Sequence, residues 1–129
     1  MTGRHQFIVR VACAALTLAI FLPHTAGAQV ECRLAPRQQA YAFTSDTVVW
    51  RMTIRAGGKC VRGIRYNDAI INNIQLVKEP QSGQIALNSN AFTYQAPDLP
   101  GSDNFSLLIS GKRLSITGNS TIRVLVSVE

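Results

Sequence analysis

The stretch of residues 80–105 constrains the fold of this chain more than any other. It contains two short β-rich runs, residues 83–87 and 91–96, and proline, glycine, asparagine and aspartate cluster around both. Proline and glycine favour turns and disfavour the interior of a helix. Turn and strand signals therefore alternate through these residues with no helix signal, which indicates an all-β chain.

Residues 1–28 have the three parts of a secretory signal peptide. Arg4 and Arg10 give a basic start, residues 11–22 are an apolar run, and residues 26–28 are small. This order predicts export and cleavage after Ala28. The run of about a dozen apolar residues is shorter than the roughly 20 that span a bilayer. We therefore expect a periplasmic or secreted product that does not span the membrane.

The remaining chain has the length of one domain, which we divide into an extended lead-in (residues 29–46) and a folded part (residues 47–129). Both histidines, His5 and His24, lie in the predicted signal peptide. Without histidine, neither a Ser-His nor a Cys-His nucleophile pair can form, and imidazole metal ligands are missing. The acidic residues are scattered, unlike the paired carboxylates of glycosidases. We predict no enzymatic activity, no metal and no cofactor.

Two cysteines remain after Cys13 is removed with the signal peptide. Cys32 and Cys60 in an exported chain of this size predict one structural disulfide. Intermolecular pairing through Cys32, close to the terminus, is the alternative.

Period-two alternation predicts the strands. In residues 47–55, one set of side chains is apolar and the other is mixed or polar; the apolar set is Val48, Trp50, Met52 and Ile54. Similar runs at residues 60–66, 70–77, 104–110 and 121–129 bring the total to about seven strands, and we interpret Gly111 and Gly118 as turn residues. The spacing indicates a single antiparallel β-sandwich.

Three sequence patterns carry a family resemblance. They are Pro80-x-x-Gly83-x-Ile85, Tyr94-x-x-Pro97 and Pro100-Gly101-Ser102-Asp103-x-Phe105, followed by a closing run of alternating valines. Together they resemble a bacterial immunoglobulin-like or cadherin-like module over about residues 47–129. The resemblance implies an immunoglobulin-like or cadherin-like sandwich of the kind found in exported adhesins and surface proteins.

The residues of these patterns have folding roles in this interpretation. Tyr94 and Phe105 anchor strands to the core, and Gly83 supplies a positive φ at a turn. Asp103 accepts N–H groups of the turn at Gly101 and Ser102. A calcium site near Asp98 and Asp103 is the less favoured alternative, because hard cations take six to eight oxygen ligands.

The basic residues indicate a partner. Removing Arg4 and Arg10 leaves eleven Lys and Arg against seven Asp and Glu, a net charge of +4. The candidate binding surface is Arg51, Arg55, Arg62 and Arg65. Long-range attraction would favour anionic surface polymers or lipid head groups, whereas an ordinary solvated strand face is the alternative. No nucleic acid is expected, because aromatic residues do not alternate with the basic ones.

The leading hypothesis is a non-enzymatic binding or adhesion module of the cell envelope or extracellular space, with an envelope polysaccharide or protein as its partner. An assembly subunit that uses an exposed sheet edge is one alternative. An inhibitor of a secreted enzyme, acting through the loop at residues 97–102, is another.

Overall fold

A computed structural model describes residues 32–65 and 68–129. The predicted signal peptide and the first residues of the lead-in lie outside the described residues. The described residues form eight strands and no helix: β1 (Cys32–Leu34), β2 (Asp46–Ile54), β3 (Lys59–Gly63), β4 (Ala69–Lys78), β5 (Gln84–Leu87), β6 (Ala91–Gln95), β7 (Gly101–Arg113) and β8 (Ile116–Val128). The all-β prediction is confirmed, and β1 is a strand that the sequence did not reveal.

The strands form two sheets, an arrangement consistent with a β-sandwich. The five-stranded sheet has the order β1-β2-β8-β7-β4, and the three-stranded sheet has the order β3-β6-β5. The prediction of a wholly antiparallel fold is wrong at one pair, because β2 and β8 are parallel from Asp46 opposite Ser120 to Ile54 opposite Val128. No hairpin joins these two strands: the chain leaves β2 for the other sheet and returns to β8 much later, so their directions are free to agree.

The core lies between the sheets and contains the predicted inward side chains. It is built mainly from alternate residues of β2, β6, β7 and β8: Val48, Trp50, Met52, Ile54, Phe92, Tyr94, Phe105, Leu107, Ile109, Ile122, Val124, Val126 and Val128. The Trp50 indole N–H donates to the Gln39 carbonyl at 2.9 Å, so the buried ring leaves no unpaired donor. Because alternate residues of β2 and β8 point into the core, the residues between them lie on the outer face of the larger sheet.

The β7–β8 hairpin is longer than predicted, because Gly111 and Gly118 are not turn residues. Each strand has 13 residues, and the turn is at Leu114 and Ser115, with Leu114 at φ 54°. Gly111 and Gly118 face each other across the hairpin. A Cβ on Gly118 would lie 2.3 Å from the Phe43 carbonyl oxygen, so close packing of the lead-in requires glycine there.

Hydrogen bonds fix the end of the lead-in onto the larger sheet. Asp46 accepts the N–H of Ala42 at 3.0 Å and the hydroxyl of Ser120 at 2.5 Å, and Ser120 accepts the N–H of Phe43 at 2.9 Å. Burial raises the pKa of Asp46, but hydrogen bonds led by the one from Ser120 outweigh it and hold the pKa below its usual value. The end of the lead-in, residues 42–46, is therefore an integral part of the fold.

The predicted disulfide between Cys32 and Cys60 is present. Their Cα atoms are 5.6 Å apart, and the bond connects β1 of the larger sheet to β3 of the smaller one. It thereby ties the short edge strand β1 to the core and fixes the position of Arg33 beside β2.

Candidate functional site

Asp103 organises the end of the molecule where β7 begins. It is only 6% exposed and accepts the N–H groups of Gln81 and Gly83, each at 2.8 Å, and the hydroxyl of Tyr94 at 2.9 Å. The prediction that it caps the turn at Gly101 and Ser102 is therefore wrong. The carboxylate instead joins the loop before β5, which lies about twenty residues earlier in the chain, to β6 and β7.

The ionisation of Asp103 follows from these contacts. Burial raises its pKa, but the hydrogen bonds from Gly83, Tyr94, Gln81 and Asn104 outweigh burial and place the pKa below its usual value. Burial, together with the hydrogen bond to Asp103 and its negative charge, raises the pKa of Tyr94. Asp103 is thus a charged structural residue whose oxygens already serve as acceptors for protein donors, and a cation bound there would have to displace those donors.

Gly83 is required for space and not for its backbone conformation. It is not among the described glycines with positive φ, which corrects the sequence-based interpretation. A Cβ on Gly83 would lie 2.5 Å from ring atoms and the hydroxyl oxygen of Tyr94, whose side chain is fully buried. The glycine lets the loop approach the ring closely enough for its N–H to reach Asp103.

Replacing Gly83 with alanine should destabilise the protein by about 1–3 kcal/mol, the range for forcing an extra methyl group against a packed core. Urea denaturation followed by Trp50 fluorescence measures this loss. Gly63→Ala is the control, because nothing lies within 4 Å of a Cβ added there. Equal stability of the two variants would show that the loop does not need its close approach to Tyr94.

The outer face of the five-stranded sheet carries a concavity of about 730 Å³. One row of its lining runs straight across the sheet: Arg33 of β1 lies opposite Thr53, Thr53 opposite Ser127, and Ser127 opposite Ser102. The row begins with a guanidinium group and continues with three hydroxyl groups. It is therefore a strip of hydrogen-bonding groups with its positive charge at one end.

A second row of the lining runs beside the first. Arg51 of β2 lies opposite Leu125, and Leu125 lies opposite Asn104. The Oδ1 atom of Asn104 is buried with no hydrogen-bond partner among the described residues. This is an exception to the rule that buried acceptors are nearly always paired. The two rows together present two arginines, an apolar floor at Leu125 and a set of polar groups.

The structure separates the four predicted arginines. Arg51 is exposed on β2 and lines the concavity, and Arg55 is exposed just after β2 ends. Arg62 is on β3 of the other sheet, two residues from the buried Cys60, and Arg65 is exposed beyond the end of β3. Sequence reasoning missed Arg33, which joins Arg51 only because β1 pairs with β2. Binding by these residues stays a prediction.

No protein-family model and no curated protein matches this chain. Within residues 32–65 and 68–129, no group of three or more His, Cys, Asp or Glu is arranged to hold a metal ion. The same residues contain no helix that is long and apolar enough to cross a membrane. Function is therefore inferred from the chemistry of the surface.

A smaller concavity of about 470 Å³ lies at the loop of residues 97–102. Its lining combines proline and apolar side chains, including Leu99, which is 77% exposed, with two serines and the carboxylates of Asp98 and Asp103. The carboxylate oxygens of Asp103 already accept hydrogen bonds from Gln81, Gly83 and Tyr94. The described lining residues of this concavity include no lysine or arginine, whereas the two rows on the sheet contain Arg33 and Arg51.

Proposed function

We propose that this chain is an exported, non-enzymatic binding module that holds an acidic envelope polysaccharide on the outer face of its larger sheet. The observation that carries the proposal is the placement of Arg33 and Arg51 beside Leu125 and the hydroxyl row. Export is proposed from the signal-peptide pattern, and the cross-sheet disulfide supports it, because disulfides persist in oxidising compartments.

The proposed ligand matches the chemistry of the two rows. A guanidinium group binds a carboxylate through two parallel hydrogen bonds, so Arg33 and Arg51 suit uronic acid groups on neighbouring sugars. Exposed side-chain hydroxyl groups, such as those of Ser102 and Ser127, exchange hydrogen bonds with sugar hydroxyls. Leu125 offers an apolar surface to the C–H face of a sugar ring. An open, shallow sheet face accommodates an extended polymer.

An acidic polymer fits better than a neutral one. The described aromatic side chains are all buried in the core: Tyr41, Phe43, Trp50, Phe92, Tyr94 and Phe105. The described surface therefore has no aromatic ring on which a neutral sugar could stack. In this proposal most of the affinity comes from charge and hydrogen bonds, and the net positive charge predicted for the exported chain favours a polyanion.

We also propose that the sandwich is of the immunoglobulin-like type. In that fold one sheet holds the second, fourth and fifth strands and the other holds the third, sixth and seventh. If β2 is counted as the first strand of that fold, its second, fourth and fifth strands are β3, β5 and β6, and its third, sixth and seventh are β4, β7 and β8. The observed sheets have this grouping, which supports the assignment. Folds of this kind carry many unrelated functions, so the proposed activity depends on the concavity and not on the fold.

The arginine pair can be tested by retention on immobilised polygalacturonate, with neutral dextran as the reference polymer. We expect the Arg33→Ala/Arg51→Ala variant to bind at least tenfold more weakly than the original protein, which is about 1.4 kcal/mol. Retention should also fall as salt is raised. The double variant Arg65→Ala/Lys112→Ala is the matched control, because it removes two exposed positive charges outside the concavity.

Equal losses in both double variants would mean that net charge alone attracts the polymer, and they would overturn the assignment of the concavity. Failure of the original protein to bind polygalacturonate at low salt would overturn the proposed ligand class. Equal retention on dextran would do the same.

A further inference from the structure

The free edge of the five-stranded sheet is unusually long. β4 hydrogen-bonds to β7 on one side and ends the sheet on the other. It has ten residues, whereas the other edge strands β1, β3 and β5 have three, five and four. Natural proteins usually keep edge strands short, because a free edge pairs with another strand. β4 is therefore longer than edge strands usually are.

The side chains of β4 are also incompletely covered. Ile70 and Val77 are 61% and 54% exposed, and Ile74 and Leu76 are only half-buried on the side facing the core. A free edge strand with incompletely covered apolar side chains is a surface on which another strand can pair. A strand added beside β4 would cover Ile74 and Leu76 as well as satisfy the free backbone groups.

Two irregularities restrict where a partner strand can pair. The register of β4 against β7 shifts between Ile71 and Asn73 and again between Leu76 and Lys78. Residues 73–76 therefore form the regular run. Side chains directly opposite each other in an antiparallel pair lie on the same face of the sheet. A partner must consequently place apolar residues opposite Ile74 and Leu76, and a polar residue opposite Gln75.

A second copy of β4 meets this requirement. With a two-fold axis at Gln75, Gln75 lies opposite itself on the outer face, and Ile74 of each copy lies opposite Leu76 of the other on the core side. The side-chain amides of the two glutamines can hydrogen-bond to each other. The strand is thus complementary to itself in that register.

Charge does not oppose this pairing. Lys78 is the single charged residue of β4. Its two copies would be six residues apart along the paired strands, which is about 20 Å. That separation exceeds the screening length of about 8 Å at physiological ionic strength. Lys78 therefore does not repel its own copy.

We propose that two copies of this chain dimerise by antiparallel pairing of their β4 strands, centred on Gln75. The two larger sheets then form one continuous sheet with a concavity from each copy on its outer face. The dimer does not depend on the identity of the ligand. Two linked sites would increase the avidity for any polymer long enough to reach both.

Charged substitutions at Gln75 test both the dimer and its register. Light scattering after size exclusion should give twice the monomer mass for the original protein at high concentration. Gln75→Lys and Gln75→Glu should each be monomeric, because each places like charges opposite each other. An equimolar mixture of the two variants should regain the dimer mass. The same substitutions at Val61, exposed on the smaller sheet, should leave the original dimer unchanged.

A cysteine at the axis gives an independent measurement. Gln75→Cys should form an intermolecular disulfide under mild oxidation, because opposite Cα atoms lie about 4.5–5.5 Å apart in an antiparallel pair. Asn73→Cys, on the same face, should not, because the two copies of residue 73 would lie four residues apart. A monomeric original protein, a dimeric Gln75→Lys variant or a mixture that stays monomeric would each overturn the proposal.

Discussion

Replacing Asp103 with alanine should lower the free energy of unfolding by about 3–5 kcal/mol, because it breaks a buried hydrogen-bond network and each buried donor left without an acceptor costs about 1–3 kcal/mol. The substitution leaves the N–H groups of Gln81 and Gly83 and the hydroxyl of Tyr94 without their acceptor. The loss is a large part of the roughly 5–15 kcal/mol that stabilises a domain. Urea denaturation monitored by Trp50 fluorescence measures it. Asp98→Ala, at an exposed carboxylate, is the control and should change stability by less than about 0.5 kcal/mol.

The variant Asp103→Asn keeps the shape of the side chain and removes its charge, so its stability should depend on pH differently from that of the original protein. The pKa of Asp103 is lower in the folded protein than in the unfolded chain. Its stabilising effect is therefore complete above the unfolded pKa of about 3.9 and is lost as the pH falls towards the folded value. Asp103→Asn should be less stable at neutral pH and should lose less stability on acidification. A variant with unchanged stability and pH dependence would contradict the role of the carboxylate.

Replacing Cys32 and Cys60 together with serine should destabilise the protein by about 3–4 kcal/mol. The two residues are 28 positions apart, and in the chain-entropy model closing a loop of that size has an effect of this order. Urea denaturation measures the change, and reducing the original protein with dithiothreitol should reproduce it. If the disulfide were absent in solution, a thiol assay on the unfolded original protein would find two free cysteines.

The Cys32→Ser/Cys60→Ser variant should also bind the polymer more weakly. β1 is only three residues long, and the disulfide anchors it to the smaller sheet. Without that bond, Arg33 would lose its fixed position beside Arg51. We expect retention of the folded double variant on polygalacturonate to fall towards that of Arg33→Ala. Undiminished retention would show that β1 stays in place without the disulfide.

The sequence predicted the parts of the fold that depend on local alternation. In β2 and β8, apolar side chains at every second position are inward, as the period of two requires. The presence of two cysteines, Cys32 and Cys60, in a small chain predicted to be exported likewise predicted their disulfide. These signals are local or compositional, so one sequence suffices to identify them.

The features that the sequence did not predict arise from contacts between distant segments. Gly111 and Gly118 resemble turn residues, but they are packed beneath Phe43, which precedes them by about seventy residues. Asp103 has a turn-like sequence around it and nevertheless binds the loop containing Gly83. Arg33 joins the candidate site only through the pairing of β1 with β2. No local pattern encodes any of these contacts.

The most direct test of the proposed function is an NMR titration of the protein with oligogalacturonate. We expect the chemical-shift changes of backbone amides to concentrate at residues lining the concavity, especially Arg33, Arg51, Asn104 and Leu125, and to be absent in the Arg33→Ala/Arg51→Ala variant. Shifts concentrated instead on β3, around Arg62 and Arg65, would contradict the assignment of the concavity.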